Sequence, residues 1–312
     1  MSIKEIERGV SEQEDKDVPQ FCDMLLKYMR KHTEVANYIF DQLDLDLRAF
    51  ISEKGNYNTN IVDTAAELGG VKQNVGLLYA IVDYTIKDEA KRYLIYGDAM
   101  IDVIAILLEI RNKSKKMVTL MDMYYDISYL RSRLAVKIDN IVRRINHDQD
   151  SLDSENEMYT NEQKGKKEVP QFCDMLLEYI GDRSYVAEYI LDSIRAELRQ
   201  TIINNKWDES HRVDIAIALG EVNQNIESLK EALNQITDKT EQNHIYGEAL
   251  IDTIVTLLVI LTKYRGNMFK TSRKLSQLRD RLSERTQHVI SVIGKQASQT
   301  QVGGEKATNA TS

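Results

Sequence analysis

The stretch Val-Pro-Gln-Phe-Cys-Asp-Met-Leu-Leu occupies residues 18–26 and recurs without change at residues 169–177. Both prolines and both cysteines of the 312-residue chain lie inside this pair. The similarity continues downstream: Ile-Tyr-Gly stands at residues 95–97 and 245–247, and Leu-Arg-X-Arg-Leu at residues 130–134 and 278–282. Self-similarity at a period of about 150 residues, the usual size of one domain, predicts two copies of one unit.

The pattern divides the chain into five parts. We expect an acidic N-terminal tail (residues 1–17), repeat one (18–146), a linker (147–167), repeat two (168–293) and a disordered C-terminal tail (294–312). The linker shows no apolar period, and the tail is rich in Gly, Ser, Thr and Gln, a composition that cannot build a packed core.

The scarcity of helix breakers predicts an all-α fold. Two prolines and 14 glycines suit long helices with short loops and argue against a many-turned β fold. Each repeat is expected to form a bundle of about five helices, so the fold class is a tandem duplication of a five-helix bundle. A hydrophobic content of 42% is enough for two cores.

The sequence predicts a cytoplasmic protein without membrane contact. Residues 1–17 are too polar for a secretory signal peptide. The most apolar run, residues 249–261, is too short to span a bilayer and contains Asp252.

One acidic residue interrupts the most apolar helix of each repeat. Asp102 lies within residues 99–108 and Asp252 within residues 249–258. A buried carboxylate needs a partner or a proton. The last helix of repeat one shows a coiled-coil-like seam that contains one charge. Its positions are Leu120, Tyr124, Ile127, Arg131, Leu134, Ile138, Ile141 and Ile145.

Arg279 occupies the same seam position in repeat two. We therefore predict two buried ion pairs, Asp102–Arg131 and Asp252–Arg279.

Two smaller residue types also carry expectations. Gly69, repeated as Gly220, lies inside the third helix, where another helix could approach closely. Cys22 and Cys173 sit beside Phe and Met and are expected to be small buried apolar side chains. A disulfide between them, or a reactive thiol, is the alternative. The five histidines do not repeat, so a Cys/His zinc site is not expected.

A set of acids offers an enzymatic alternative. Asp98 and Asp102 lie four residues apart on one helix, as do Asp63 and Glu67 on the preceding one, and such oxygens suit Mg²⁺. The arrangement resembles the all-α nucleoside triphosphate pyrophosphohydrolases of the MazG type, which bind Mg²⁺ through E-x-x-E and E-x-x-D pairs in a four-helix bundle. The resemblance implies a Mg²⁺-dependent hydrolase. The chain departs from it in the four-residue spacing and in Ala218, which replaces Glu67 in repeat two.

Positive charge is concentrated at matching places. The net charge is −8, yet residues 111–145 hold nine Lys/Arg against three acids, and residues 263–295 hold nine against two. Tyrosine and phenylalanine are interspersed. The pattern favours a solvated face or a face docked on protein; a nucleic-acid-binding surface is the alternative, functional interpretation. The candidate residues are Arg111, Lys113, Lys115, Lys116, Arg133, Lys263, Arg265, Lys270, Arg273, Lys274 and Arg281.

These observations favour a noncatalytic structural or interaction protein. We expect self-association or a protein partner, with nucleic acid as a further ligand of the basic last helices. No catalytic residue and no cofactor is predicted; Mg²⁺ belongs only to the hydrolase alternative. A regulator that senses a small ligand between the bundles is a third hypothesis.

Overall fold

The chain is all-helical over the residues described by this computed structural model. Those residues are 18–53, 59–115, 119–147 and 168–308, with side chains described in 21–53, 60–114, 119–143 and 171–294. The predicted all-α class is confirmed. The described helices of the first half are α1 (Val18–Lys31), α2 (Thr33–Glu53), α3 (Thr59–Thr85), α4 (Glu89–Lys115) and α5 (Leu120–His147). Those of the second half are α6 (Glu168–Asp182), α7 (Ser184–Asn204), α8 (Glu209–Leu233), α9 (Lys239–Lys263) and α10 (Met268–Thr308).

Short polar caps separate the helices. The Asp88 carboxylate accepts from the backbone N–H groups of Ala90 and Lys91, at 2.9 and 3.2 Å, where α4 begins. Asp238 caps α9 in the same way. Carboxylates at helix N-termini satisfy free N–H groups and complement the helix dipole, so these positions fix where each apolar helix starts.

The chain forms two compact units, residues 1–179 and 180–312. In the first unit α5 packs along α3, and α4 packs against α1 and α2. In the second, α10 packs along α8, and α9 packs against α7. The boundary falls inside α6, so these units do not coincide with the two sequence repeats.

The seam of the last helix differs from the predicted one. The buried residues of α5 are Met123, Ile127, Leu130, Leu134, Ile138 and Ile141. Those of α10 are Thr271, Leu275, Leu278, Leu282, Thr286 and Val289. Leu130 takes the place assigned to Arg131, because steps of three then four residues from Ile127 to Leu134 fit a helical face as well as four then three. The helix therefore buries a leucine and leaves the arginine at its flank.

Close helix approach occurs at a glycine other than the predicted one. A Cβ at Gly69 would meet nothing within 4 Å, so that prediction is wrong. A Cβ at Gly97 would lie 2.7 Å from the Arg30 Cα, and one at Gly247 would fall against the backbone of Gly181. The repeated Ile-Tyr-Gly motif thus marks where the fourth helix of each repeat meets the end of the first.

The two cysteines are buried and form a disulfide within the first unit. Burial was predicted correctly, but the expectation of unbonded side chains is wrong. Thiol titration of the denatured protein distinguishes the disulfide from two free thiols.

Helix α9 is long and apolar enough to cross a membrane by length and composition. Its most apolar window has a mean hydropathy of 1.8, and 61% of that window is buried inside the structure. The expectation concerned residues 249–261, which lie within this longer helix, and the core helix of a soluble protein meets the same test of length and composition.

The C-terminal segment continues α10 as far as Thr308. Residues 294–308 are therefore helical where a disordered tail was predicted. Propagating an existing helix costs far less than starting one, and the segment contains Ala, Gln, Lys and Glu but no proline. The predicted N-terminal tail and most of the linker lie outside the described residues.

Candidate nucleic-acid interface

The described basic residues in the predicted surface of repeat one are paired with carboxylates of the same repeat. Each described Lys or Arg of residues 111–143 makes an ion pair with a carboxylate. The pairs are Arg111–Asp46 (3.5 Å), Lys113–Glu109 (3.0 Å), Lys113–Asp126 (3.1 Å), Arg131–Glu67 (3.0 Å), Arg133–Asp102 (3.5 Å), Lys137–Asp102 (3.2 Å) and Arg143–Asp139 (2.7 Å). Arg111 is 13% exposed, and its guanidinium lies 4.7 Å from the centre of the Tyr179 ring. Lys116 and the side chain of Lys115 lie outside the described residues.

The predicted buried ion pairs are not formed. Arg131 and Arg279 reach instead to acids on the third helix of their repeat, Glu67 and Glu221, at 3.0 and 2.9 Å. The acids on the fourth helix bind the arginine two residues further on, and Arg281 contacts both oxygens of Asp252 at 3.1 and 3.0 Å.

The error follows from the misassigned seam. Residues two apart on a helix point to nearly opposite sides. Each Arg-X-Arg motif therefore places one arginine toward the third helix and the other toward the fourth. Asp102 is 43% exposed, so its carboxylate is not buried either.

Repeat two presents its positive charge differently. Between residues 263 and 274 there are five basic residues and no acid. None of the five makes an ion pair with any residue that the structure describes, whereas Arg279 and Arg281 further along α10 do. The five are Lys263, Arg265, Lys270, Arg273 and Lys274.

The turn that carries these residues is well held. The Asn267 side chain accepts from the backbone N–H of Lys270 at 3.0 Å and so caps α10. The Thr271 hydroxyl donates to the Tyr264 carbonyl at 3.1 Å. The Lys270 ammonium lies 5.3 Å from the centre of the Tyr264 ring, within range of a cation–π contact. The turn therefore presents its cations from a fixed backbone.

A second loop of the same unit adjoins this turn. The Asn205 amide donates to the Arg265 carbonyl at 2.9 Å, and the His211 ring meets the Phe269 ring edge to face at 6.2 Å. The adjoining loop contributes Lys206, which is exposed and makes no ion pair with a described residue, and the chain's single tryptophan, Trp207. We call residues 205–211 together with residues 263–274 the basic end.

The basic end carries net positive charge. It holds six Lys/Arg side chains against two carboxylates, Asp208 and Glu209, which leaves +4. Asp208 caps α8, and the backbone N–H of His211, the Ser210 hydroxyl and the His211 ring lower the pKa of its carboxyl to about 2. This carboxylate is thus hydrogen-bonded to the first turn of α8.

The acids of the hydrolase alternative do not converge. Glu67 is paired with Arg131, Asp98 with Arg30 at 2.5 Å, and Asp102 with Arg133 and Lys137, while Asp63 is exposed. Among the residues described here, no three His, Cys, Asp or Glu side chains are grouped so that they could hold a metal ion. The spacing placed these acids on neighbouring helices, but the ion pairs direct them to different partners.

The clearest cleft in the described part of the chain lies in the first unit and is small. It encloses about 70 Å³, well below the volume of usual ligand sites, about 300–1,000 Å³. Three tyrosines contribute to its lining, which consists of Thr33, Tyr79, Val82, Asp83, Arg92, Tyr93 and Tyr96. The cleft offers no room for a nucleotide-sized ligand.

Sequence reasoning found the basic turn but missed the loop that completes it. Lys206, Trp207 and His211 lie about sixty residues before the turn, and nothing in their spacing links them to it. The signal that could have been used is the composition of the loop, where a lysine, a tryptophan and a histidine lie close together in sequence.

No protein family matches the chain, and neither a curated protein nor a solved structure matches it.

Proposed function

We propose that this chain is a noncatalytic interaction protein, built by tandem duplication of a five-helix bundle, that binds nucleic acid through the basic end of its second unit. The observation that carries the proposal is the contrast in pairing. Every described Lys or Arg of residues 111–143 has a carboxylate partner, whereas none of the six Lys/Arg of the basic end pairs with a carboxylate among the described residues.

Unpaired cations favour a polyanionic ligand for a simple reason. A lysine or arginine that already contacts a carboxylate must lose that contact to bind a phosphate. A free one binds phosphate while counterions leave the nucleic acid, and this release drives association at moderate salt. The cations of the basic end therefore gain more binding free energy from a phosphate backbone than the paired cations of residues 111–143 do.

Self-assembly is a second candidate function, favoured by one feature of α5. A stripe of large side chains on this helix is exposed, from 44% at Met121 to 64% at Tyr129, and it also includes Tyr125 and Val136. An apolar stripe at helical spacing suits a second copy of the chain. Sedimentation of wild type and of a Tyr125→Glu, Tyr129→Glu variant tests this. A monomer at all concentrations in both would exclude assembly through the stripe.

The test of the main proposal is an exchange between the repeats. Lys270, Arg273 and Lys274 align with Asp122, Tyr125 and Asp126 of repeat one. Fluorescence anisotropy with labelled single- and double-stranded DNA and RNA compares wild type with the triple variant Lys270→Asp, Arg273→Tyr, Lys274→Asp. We expect the exchange to weaken binding about 10- to 100-fold at moderate salt.

The matched control removes paired cations. A Lys113→Ala, Arg133→Ala variant lowers the positive charge of repeat one and should bind like wild type. The exchange lowers the net charge by about five and the control by about two, so losses that scale with these charges would show that overall charge, and not the basic end, governs binding. Absence of binding by wild type even at low salt would contradict the proposal itself.

A further inference from the structure

We propose that the ligand of the basic end is a single strand, and that Phe269 stacks on one of its bases. This inference rests on the proposed function and names the ligand class. It starts from Phe269, whose side chain is 75% exposed on the first turn of α10. Single exposed apolar side chains are common on protein surfaces, but Phe269 lies in the middle of a basic turn, where an aromatic ring is a platform on which a base can stack.

The surroundings of Phe269 match those of a stacking residue. Lys270 follows it directly, Arg273 lies one turn further on the same helix, and the His211 ring packs against it in a T-shaped arrangement. Tyr264 and Trp207 belong to the two segments that form the basic end. Proteins that bind single strands combine a basic track with aromatic rings on which bases stack.

A duplex would contact the cations of this surface but would leave its aromatic rings without stacking partners. In a duplex the bases are stacked on one another, so an exposed ring meets backbone and gains no stacking partner, whereas an unpaired base offers a free face. The net charge of −8 of the whole chain also disfavours extended coating of a duplex. The aromatic content of the basic end therefore favours single strands.

Phe269→Ala separates stacking from charge. The probes are a short labelled oligothymidine, a duplex of equal length and inorganic polyphosphate, which has no bases. We expect Phe269→Ala to weaken oligothymidine binding about 5- to 100-fold with an unchanged salt dependence, and to leave duplex and polyphosphate binding as in wild type. Phe269→Trp should retain oligothymidine binding, and Lys270→Ala should weaken the binding of all three ligands.

Trp207 supplies an independent readout, because it is the only tryptophan and lies in the basic end. Its emission should change on oligothymidine binding, whereas binding elsewhere would alter anisotropy alone. Far-UV circular dichroism checks that each variant is folded.

The outcomes separate the two proposals. Wild-type binding to none of the three probes overturns the proposed function and this inference with it. Binding that Phe269→Ala leaves unchanged, or weakens equally for the duplex, overturns the single-strand inference and leaves the proposed function standing.

Discussion

The last helices of the two repeats begin in opposite ways. Helix α5 begins with a capping box: the Thr119 N–H donates to the Asp122 carboxylate, and the Asp122 N–H donates to the Thr119 hydroxyl, each at 3.2 Å. At the aligned positions α10 has Asn267 and Lys270. An acid in the first helical turn complements the helix dipole and a cation opposes it. Repeat one therefore has the more stable helix start, and repeat two keeps cations there that make no ion pair with a described residue.

The ion pair between the third and last helices differs less between the two repeats. Both repeats keep this pair, although the acid moves by one turn. Repeat one has Glu67 with Gly70, and the aligned residues of repeat two are Ala218 and Glu221. A Cβ at Gly70 would overlap the Arg131 side chain, so the glycine makes room for this arginine. Where the fold uses a charge, the second repeat preserves its partner; the cations of the basic end have no carboxylate partner among the described residues.

The largest loss of stability is expected at the glycine of the Ile-Tyr-Gly motif, which both repeats share. Gly97→Ala should destabilise the protein by about 3 kcal/mol, because the new methyl would overlap the Arg30 backbone, which cannot move without shifting α1. Gly69→Ala is the matched control. It meets nothing within 4 Å and should stabilise α3 by up to about 1 kcal/mol. Urea unfolding followed by circular dichroism measures both, and equal effects would contradict the assignment of close approach to Gly97.

Alkaline unfolding should distinguish the two tyrosines of the Ile-Tyr-Gly motifs. Burial raises the pKa of Tyr96 to about 12, and its hydroxyl donates to Asn37. Burial and the Glu188 carboxylate raise the pKa of Tyr246 further. A raised tyrosine pKa means that the folded state holds its proton longer, so the stability that it contributes is present below about pH 10 and falls as pH rises.

Tyr246→Phe should therefore reduce the loss of stability of the second unit above pH 10. At neutral pH it should cost about 1 kcal/mol through the lost hydrogen bond to Glu188. Trp207 emission follows the second unit, and Tyr96→Phe serves as the matched change in the first. A pH dependence identical to that of wild type would count against the raised pKa of Tyr246.

Moving one acid tests whether the paired charges are interchangeable. Glu67→Ala removes the partner of Arg131, which is 45% exposed, and should cost about 0.5–1 kcal/mol. Adding Gly70→Glu recreates the arrangement of repeat two and should restore most of that loss. If the double variant is less stable than Glu67→Ala alone, the Arg131 side chain cannot move aside and the two arrangements are not equivalent.

The smallest effect on stability should come from the start of α10. Lys270→Asp introduces the residue of repeat one and should stabilise the second unit by about 0.3–1 kcal/mol at low salt. Thermal unfolding followed by Trp207 emission measures the change. A loss of stability would show that the contact between Lys270 and the Tyr264 ring outweighs the interaction with the helix dipole.

Sequence patterns predicted the positions of the helices better than they predicted which side chains contact one another. The apolar period located the last helix, but two registers fitted it, and choosing Arg131 over Leu130 misplaced the predicted ion pairs. The matching excess of positive charge in both repeats concealed a difference in pairing, because Asp46, Asp102 and Glu109 lie on other helices or another turn. The loop with Trp207 joins the basic turn only through tertiary contacts, which spacing does not encode.

The most direct test of the central claim is the salt dependence of single-strand binding, measured for the exchange at Lys270, Arg273 and Lys274 and for the Lys113→Ala, Arg133→Ala control. Each phosphate contact contributes about −0.7 to the slope of log Kobs against log salt. We predict that the exchange makes the slope shallower by about 2, whereas the control leaves it as in wild type. Equal changes in both variants, or an unchanged slope after the exchange, would contradict the claim that the basic end alone meets the nucleic acid.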